Sequence, residues 1–351
     1  QVTVEMAKEA DPRTWTGGAG DTGIGLAGNW TGTGAPSLYD GSLEPTFAAG
    51  GSLASVFTGV YMRNISFTGD NDFTLKGEND GAKLFLEGGI AAADRGTDAA
   101  YAVRLPVTLR SAQTWAVNGA KTKLTVDGGL AGAYGIAKSG EGALELNVKD
   151  GCAWPGSLTS AAGDITLKGE MTSAEGSITY DSAITKLTLS NAKIAKSVVV
   201  KTGNNTALYA TDGDNAIGGL DLAGNTTISV AKGATLAISG DVQFRQYVYP
   251  SGQGVFVFTN VNLMGSHAFQ PSANSTIYID YPGLPISSYF DVKGKIYTRC
   301  ENAMGLSQPQ MVFYGIGNHG GGPAVRADGR GGRRTGRRCR ERGGSSGRDA
   351  G

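Results

Sequence analysis

The chain has 351 residues, and its 31 basic and 31 acidic side chains give a formal net charge of zero. Glycine is frequent, at 56 residues, but no Gly-X-Y period runs through the sequence, which excludes a collagen triple helix. The hydrophobic content of 40% is too high for a wholly disordered chain. No apolar run approaches the roughly 18 residues of a membrane-spanning helix. The composition favours short strands joined by glycine turns.

The amino-terminal segment, residues 1–35, is predicted to be a cap. It opens Gln-Val-Thr-Val without an apolar leader, so we expect that a signal peptide has been removed or that the sequence is a fragment. Trp15 and Trp30 have two interpretations, a platform on which sugars stack or a cover over the start of the core, and we favour the cover. Gly17-Gly-Ala-Gly-Asp21 resembles a calcium-binding nonapeptide but lacks its spacing and never recurs.

A short phrase of alternating apolar and polar residues, usually ending in Gly or Asn, recurs through the centre of the chain. Period-two alternation is typical of half-buried strands, with Leu, Ile, Val and Phe stacked inward and Thr, Ser, Lys, Glu, Asp and Asn facing outward. Glycine after each strand supplies the positive φ that a sharp corner needs. The copies are Phe73–Gly77, Leu84–Gly88, Leu124–Gly128, Leu144–Asn147, Ile165–Gly169, Leu187–Asn191, Leu220–Gly224, Ile228–Val230 and Leu236–Gly240.

The architecture predicted from these phrases is a β-solenoid. No amphipathic helical pattern interrupts residues 60–240, which argues against an α/β fold and leaves sandwiches, propellers and solenoids. The spacing between phrases varies from about 8 to 20 residues, and a solenoid tolerates this because its loops leave the stack without disturbing it. We therefore predict an all-β, single-stranded parallel β-helix whose rungs occupy residues 36–240.

The sequence pattern changes after Asp241. The strand-like segments become richer in aromatic residues, and Pro282 and Pro285 interrupt the alternation. Residues 241–314 are predicted to form the final rungs with a C-terminal cap, and a separate small β module is the alternative. The aromatic segments are Gln243–Tyr249, Val255–Phe258 and Thr276–Tyr281.

Residues 315–351 are predicted to be a disordered basic tail. Its last 26 residues contain nine arginines and three acids but no Ile, Leu, Val, Met or aromatic residue, so this part cannot build a core. The abrupt change in composition is typical of a shifted reading frame, which is our preferred interpretation. Two functional alternatives are phosphate contacts with nucleic acid and a tether to an anionic surface. We regard nucleic acid as the weaker candidate partner because aromatic residues are absent from this tail.

The first 150 residues resemble the autotransporter-associated β-strand repeat proteins of bacteria. Arg13-Thr-Trp-Thr-Gly-Gly-Ala-Gly-Asp21 followed by Gly28-Asn-Trp30 looks like the opening motif of those passengers, and Asn64–Leu75 is similar to their first rung. The most specific match is Leu130-Ala-Gly-Ala-Tyr-Gly-Ile-Ala-Lys-Ser-Gly-Glu-Gly-Ala-Leu-Glu-Leu146. The resemblance implies an exported, right-handed parallel β-helix of the pectin-lyase-like type at the cell surface or outside the cell. A C-terminal outer-membrane barrel usually follows such passengers, and residues 300–351 lack its strand pattern, so we expect membrane contact only through a barrel absent from this chain.

Candidate catalytic and metal-binding residues are few. Asp70–Asp72 and Asp212–Asn215 are clusters typical of turns, although Asp70, Asn71 and Asp72 have the oxygens to chelate an adventitious ion. The spacing of the cysteines fits no zinc site or redox pair, and a Cys152–Cys300 disulfide remains open. The full set weighed is His267 and His319, the carboxylate pairs Asp70/Asp72, Asp212/Asp214 and Asp280/Asp291, and Cys152, Cys300 and Cys339.

None of these residues is predicted to be catalytic, and no cofactor or metal is expected. Our first hypothesis is a non-catalytic exported passenger with a structural or adhesive role, acting by many weak contacts along a polar face. Its partners would be host, cell-surface or polysaccharide ligands. The alternative is a polysaccharide-binding or polysaccharide-degrading β-helix, which acids and aromatic residues clustered on one rung face would favour.

Overall fold

The computed structural model describes residues 9–48, 52–148, 156–171, 177–180, 185–195, 198–246, 248–259, 263–265, 274–281 and 295–300. These residues form 31 β-strands and one turn of 3₁₀ helix, Ala27–Asn29. The strands pair in parallel from one turn of the chain to the next, so the predicted all-β parallel β-solenoid is confirmed. The predicted tail, residues 315–351, lies outside the described residues.

The strands are short, as the repeated phrases predict, and each of the nine phrases falls on one of them. In chain order they are β1 (Asp11–Trp15), β2 (Leu43–Phe47), β3 (Leu53–Val56), β4 (Gly59–Met62), β5 (Ile65–Phe67), β6 (Phe73–Gly77), β7 (Lys83–Leu86), β8 (Ile90–Ala92), β9 (Ala99–Arg104), β10 (Val107–Leu109), β11 (Gln113–Val117), β12 (Thr122–Asp127), β13 (Leu130–Ala131), β14 (Ile136–Ser139), β15 (Ala143–Val148), β16 (Leu158–Ser160), β17 (Ile165–Met171), β18 (Ser177–Tyr180), β19 (Lys186–Ile194), β20 (Val199–Thr202), β21 (Thr206–Asp212), β22 (Asp214–Ile217), β23 (Gly219–Leu222), β24 (Thr226–Val230), β25 (Thr235–Ile238), β26 (Val242–Phe244), β27 (Ser251–Gly252), β28 (Val255–Thr259), β29 (Leu263–Gly265), β30 (Thr276–Tyr281) and β31 (Lys295–Cys300).

Three parallel sheets form the walls of the solenoid. Sheet I contains twelve strands, in the order β1, β2, β5, β8, β11, β14, β16, β18, β20, β23, β26 and β29. Sheet II contains fifteen strands, twelve of them in the order β3, β6, β9, β12, β15, β17, β19, β22, β25, β28, β30 and β31, with β21, β24 and β27 beside them. Sheet III is short and contains β4, β7, β10 and β13.

The hydrophobic core fills the space between the sheets as ladders of equivalent side chains, which confirms the predicted inward face. One ladder in sheet II runs through nine consecutive buried residues. They are Ala54, Leu75, Val103, Val126, Leu146, Leu167, Leu189, Ala210 and Val230. Because each residue packs on its equivalents in the neighbouring turns, burying one ladder stabilises the whole stack.

Sheet II changes register at a glycine. The pairing of β17 with β19 shifts between Lys168 and Gly169, and Gly169 has a φ of 81°. A Cβ at this position would lie 1.7 Å from the carbonyl oxygen of Val148, so only glycine fits. Beyond this bulge, β19 pairs along its length with two separate strands, β21 and β22.

The chain before β2 covers the first edge of each sheet. Thr31 N–H bonds to the carbonyl of Thr14 in sheet I, and Ile24 and Ser55 are hydrogen-bonded at the edge of sheet II. Tyr61 N–H of sheet III bonds to the carbonyl of Leu38. Satisfying these edges removes a template for pairing with another chain.

Candidate functional site

Trp15 and Trp30 lie inside the amino-terminal cover and present no face to solvent. Their side chains are 1% and 4% exposed, and the two rings meet edge to face with centroids 5.0 Å apart. Trp30 Nε1 donates to the carbonyl of Ile24 at 2.7 Å, and Trp15 also packs against Phe47. The favoured interpretation as a cover is therefore correct, and the sugar platform is wrong.

The glycine-rich loop that resembles a calcium repeat is held by protein groups. Asn29 is fully buried, accepts a hydrogen bond from Ala19 N–H and donates through Nδ2 to the carbonyls of Asp21 and Gly23. The carboxylate of Asp21 accepts from Gly23 N–H at 2.7 Å. This loop is thus a self-contained turn whose polar groups satisfy one another.

The cluster Asp70–Asp72 forms a turn, as the sequence predicts, and an arginine that the sequence did not single out organises it. Arg95 Nη2 bonds to the Asp72 carboxylate at 2.6 Å and its Nη1 bonds to the Asp70 carbonyl. The hydrogen bond from Ala100 N–H, followed by that from Arg95, lowers the pKa of Asp72 below its usual range. Arg95 also lies over the ring of Tyr101, at 5.6 Å from its centroid. Asp72 therefore forms an ion pair that connects two turns of the solenoid.

Asp212 and Asp214 flank Gly213, whose φ is 58°, so this cluster is also a turn. The neighbouring Asn215 is 1% exposed and stabilises the turn, since its Nδ2 donates to the carbonyls of Asp212 and Thr235. Among the residues that the structure describes, no group of three or more His, Cys, Asp or Glu side chains is placed to hold a metal ion.

The remaining candidates lie at or beyond the limits of the described residues. Cys300 ends β31 opposite Tyr281, and Asp280 pairs with Arg299 in the same ladder, but the side chains of these residues are not described. Outside the described residues are His267, His319, Asp291, Cys152 and Cys339.

A groove of about 500 Å³ crosses the outer face of sheet I over its first turns. Glu44 and Asn64 stand at one side of it, with Asn64 Nδ2 donating to Glu44 Oε1 at 3.1 Å. Asn64 Oδ1 accepts from Gly89 N–H at 2.9 Å, which fixes the amide across the two turns. Ser111 and Thr114 also line the groove. We call this surface the sheet I groove.

Two consecutive glycines at the floor of the sheet I groove allow the neighbouring turns to approach closely. A Cβ on Gly88 would meet the side chain of Asn64 at 2.1 Å, and one on Gly89 would meet the carbonyl oxygen of Thr114 at 2.0 Å. The carboxylate of Glu87 lines the groove and lies against Gly41. The result is an open groove lined by polar and apolar groups in similar measure.

The outer face of sheet III carries an aromatic pair. The rings of Tyr61 and Phe85 stack with centroids 4.4 Å apart and an interplanar angle of 13°. Because these two faces cover each other, the pair contributes packing between turns rather than a broad open platform. Tyr39 and Phe57 are more exposed, at 67% and 49% of their surface.

From the sheet I groove onward, the outer face of sheet I carries a column of short side chains. One column runs from Thr114 through Ala137 and Thr159 to Thr179, one residue per turn. Parallel strands repeat every 4.7–4.9 Å or so, which sets a regular spacing between these groups. This column of short side chains extends over four successive turns.

Ion pairs on the outer face of sheet II connect successive turns. Glu145 accepts from Lys123 at 2.8 Å and from Lys168 at 2.7 Å. Burial raises the pKa of Glu145, but the two lysines outweigh this effect and hold the pKa below its usual range. Glu170 and Lys193 form a similar pair at 2.7 Å. These acids are engaged in holding the turns in register.

The groove residues Glu44, Asn64 and Glu87 were not identified from the sequence. Glu44 lies in β2, Asn64 precedes β5 and Glu87 follows β7, so only the stacking of different turns brings them together. A usable signal was present in Glu87-Gly-Gly89, because two consecutive glycines at a predicted corner indicate that another part of the backbone approaches closely there.

No protein-family profile, curated protein or solved structure matches this chain. No helix in the described part of the chain has the length and apolarity needed to cross a membrane.

Proposed function

We propose that the chain is a non-catalytic exported β-solenoid with a structural or adhesive role, of the kind that autotransporter passengers have. The observation that carries this proposal is the outward-facing column of short side chains in sheet I, formed by Thr114, Ala137, Thr159 and Thr179. A regular row of short polar and small side chains suits many weak contacts with an extended partner, and repetition along the stack adds their strengths.

The engagement of the acidic residues also supports a non-catalytic role. Asp72 and Glu145 are tied into ion pairs between turns, and Asp221 pairs with Arg245 at 2.9 Å. In the sheet I groove, Glu87 is exposed and Glu44 is only partly buried.

A surface-binding assay tests the proposal. The chain would be coupled to beads and offered a panel of extracellular-matrix proteins, bacterial cells and polysaccharides. The double variant Thr159→Arg/Thr179→Arg places bulky charges on the sheet I column, and Thr166→Arg/Thr188→Arg makes the same change on the outer face of sheet II. We expect the sheet I variant alone to lose binding. Equal loss in both variants, or release of reducing ends from any polysaccharide, would refute the proposal.

A second candidate function is polysaccharide binding, and the sheet I groove favours it. Carboxylate, amide and hydroxyl groups converge there from Glu44, Asn64, Glu87, Ser111 and Thr114. Sugars present dense hydroxyl groups, which pair with such acceptors and donors. The groove is open at the surface, as binding along a chain requires.

This candidate is tested by titrating neutral and basic oligosaccharides into the chain and following binding by calorimetry. Glu87→Gln removes a groove carboxylate, whereas Glu170→Gln removes one on sheet II that pairs with Lys193. We expect the first variant to weaken binding at least fivefold and the second to leave it unchanged. Saturable binding with the same affinity in the Glu87→Gln variant would exclude the sheet I groove as the binding site.

A further inference from the structure

The corner between β11 and β12 contains the one Asn-Gly pair of the sequence, Asn118-Gly119. In such a pair the backbone nitrogen of the glycine can attack the side-chain amide of the asparagine, because glycine has no Cβ to hinder the approach and adopts backbone angles that other residues avoid. A fold permits or prevents this reaction by the way it holds the two residues. The surroundings of Asn118 therefore determine whether the corner is chemically stable.

The side chain of Asn118 is exposed, and its amide makes no hydrogen bond within the described part of the chain. Its Oδ1 lies beside Gly140 of the next turn, where a Cβ would stand only 2.9 Å away, so the glycine leaves the amide room to rotate. Asn64 is also exposed but is held, since it donates to Glu44 and accepts from the N–H of Gly89. The reacting amide of Asn118 has no such restraint.

The nucleophile of the reaction, the backbone nitrogen of Gly119, is also available. Gly119 has a φ of 81°, and among the described residues no acceptor receives a hydrogen bond from its N–H. The hydrogen bonds of this corner are made by flanking groups instead. Asn118 N–H donates to the carbonyl of Ala92 at 2.9 Å, and Thr122 N–H donates to the carbonyl of Gly119 at 2.9 Å. The corner is thus anchored without engaging the atoms that react.

We propose that Asn118 is a site of spontaneous deamidation in the folded protein. The nitrogen of Gly119 forms a bond to Cγ of Asn118, the bond from Cγ to Nδ2 breaks, and ammonia leaves with the proton that the Gly119 amide gives up. The product is a cyclic succinimide. Water then opens the ring at either carbonyl carbon and leaves either an aspartate or an isoaspartate, in which the main chain runs through Cγ.

Either product places a carboxylate in a corner that already holds one. The carboxylate of Asp94 lies so close to Gly119 that a Cβ on that glycine would overlap it, and its Oδ1 accepts from Gly96 N–H at 2.8 Å. A second negative charge beside Asp94 is repelled. Isoaspartate also inserts an extra main-chain carbon between the two hydrogen bonds that anchor the corner. The modified chain is therefore less stable than the original.

The test incubates the full chain in mildly alkaline buffer and locates each amide that becomes a carboxyl by peptide mapping with mass spectrometry. Fragmentation of the main chain distinguishes isoaspartate from aspartate. We expect Asn118 to be converted roughly tenfold faster than Asn64, because the amide of Asn64 is hydrogen-bonded and Ile65 follows it. Equal rates at the two positions would overturn the proposal.

The same incubation in guanidinium chloride separates the influence of the fold from that of the sequence. If the folded corner leaves the reacting atoms accessible, the folded and unfolded chains lose the Asn118 amide at rates within a few-fold of each other. A folded chain that reacts more than tenfold slower than the unfolded chain would overturn the proposal, because the fold would then protect the pair.

Ageing the chain before urea unfolding tests the consequence for stability. The midpoint of unfolding should fall as the converted fraction rises. The variant Asn118→Gln changes an exposed side chain that has no hydrogen bond in the described part of the chain, and its longer side chain disfavours ring closure. It should keep its midpoint through the same incubation. A midpoint that falls equally in this variant, or that stays constant in converted chains, would refute the proposed destabilisation.

Discussion

Lys138 makes the stability of the solenoid depend on pH in an unusual direction. Its side chain faces the core, and burial lowers the pKa of its ammonium group from 10.5 to about 8, against the opposing influence of Asp164. Unfolding restores the ordinary value, so between these two pH values the unfolded chain binds more protons than the folded chain. The free energy of unfolding therefore rises with pH, by about 1 kcal/mol between pH 7 and 9.

The rise in the free energy of unfolding is limited at both low and high pH. Below pH 7 the lysine is protonated in both states, so its contribution no longer changes. Above about pH 10 the tyrosines of the unfolded chain ionise. Burial raises the pKa values of Tyr101 and Tyr180, so these groups stay neutral in the folded chain and stability falls again. A maximum between pH 9 and 10 or so is therefore expected.

Urea unfolding followed by circular dichroism from pH 6 to 11 measures this profile. Lys138→Met leaves the carbonyls of Gly140 and Ala162 without their donor, so absolute stability is not the useful readout. The useful readout is the slope of the unfolding free energy against pH. In this variant we expect that slope to vanish between pH 7 and 9. Lys201→Met changes an exposed lysine on the outer face of the same sheet and should preserve the slope. A slope that survives Lys138→Met would refute the reasoning.

Three further predictions concern packing and charge. Gly89→Ala should destabilise the chain by about 2–3 kcal/mol in urea unfolding because its Cβ meets the Thr114 carbonyl, whereas Gly25→Ala meets only Leu38 at 3.5 Å and should be nearly neutral. Trp30→Ala should cost about 3–5 kcal/mol in the same assay, and Tyr39→Ala at an exposed site should cost under about 0.5 kcal/mol. Glu145 has a lowered pKa, so the stability that it contributes is present at neutral pH and is lost as the pH falls through the folded pKa. Glu145→Gln should therefore reduce the fall of the melting temperature at acid pH. An unchanged fall in this variant would contradict the prediction.

The strands and their inward faces were predictable because both follow from a short period. Phe73–Gly77 and Thr276–Tyr281 coincide with β6 and β30 in full. A parallel stack repeats the same environment in each turn, so local alternation is sufficient to identify a strand and orient it. Turn chemistry was also local: Asp70–Asp72 joins β5 to β6 as predicted, and in Asp212–Asn215 the chain turns at Gly213 while Asp214 and Asn215 already belong to β22.

The sheet I groove was not predictable in the same way, because it depends on how one turn lies on the next. Glu44 and Asn64 are 20 residues apart, and Gly89 lies 25 residues beyond Asn64. These separations depend on loops of unequal length, and alternation carries no information about loop length. The partner of Asp72 was missed for the same reason, since Arg95 reaches it from the following turn.

Lys138 shows a different limit of the alternating pattern. Ile136 and Lys138 are two residues apart in β14, so period two places both inside, and the structure buries both. The error was to treat every inward position as apolar. Gly140, with a φ of 80°, turns the chain so that its carbonyl faces the ammonium group, and Ala162 supplies a second carbonyl from the next turn. Alternation therefore predicts which way a side chain points, while the acceptors that make a buried lysine tolerable come from the corner glycine and the stacking of turns.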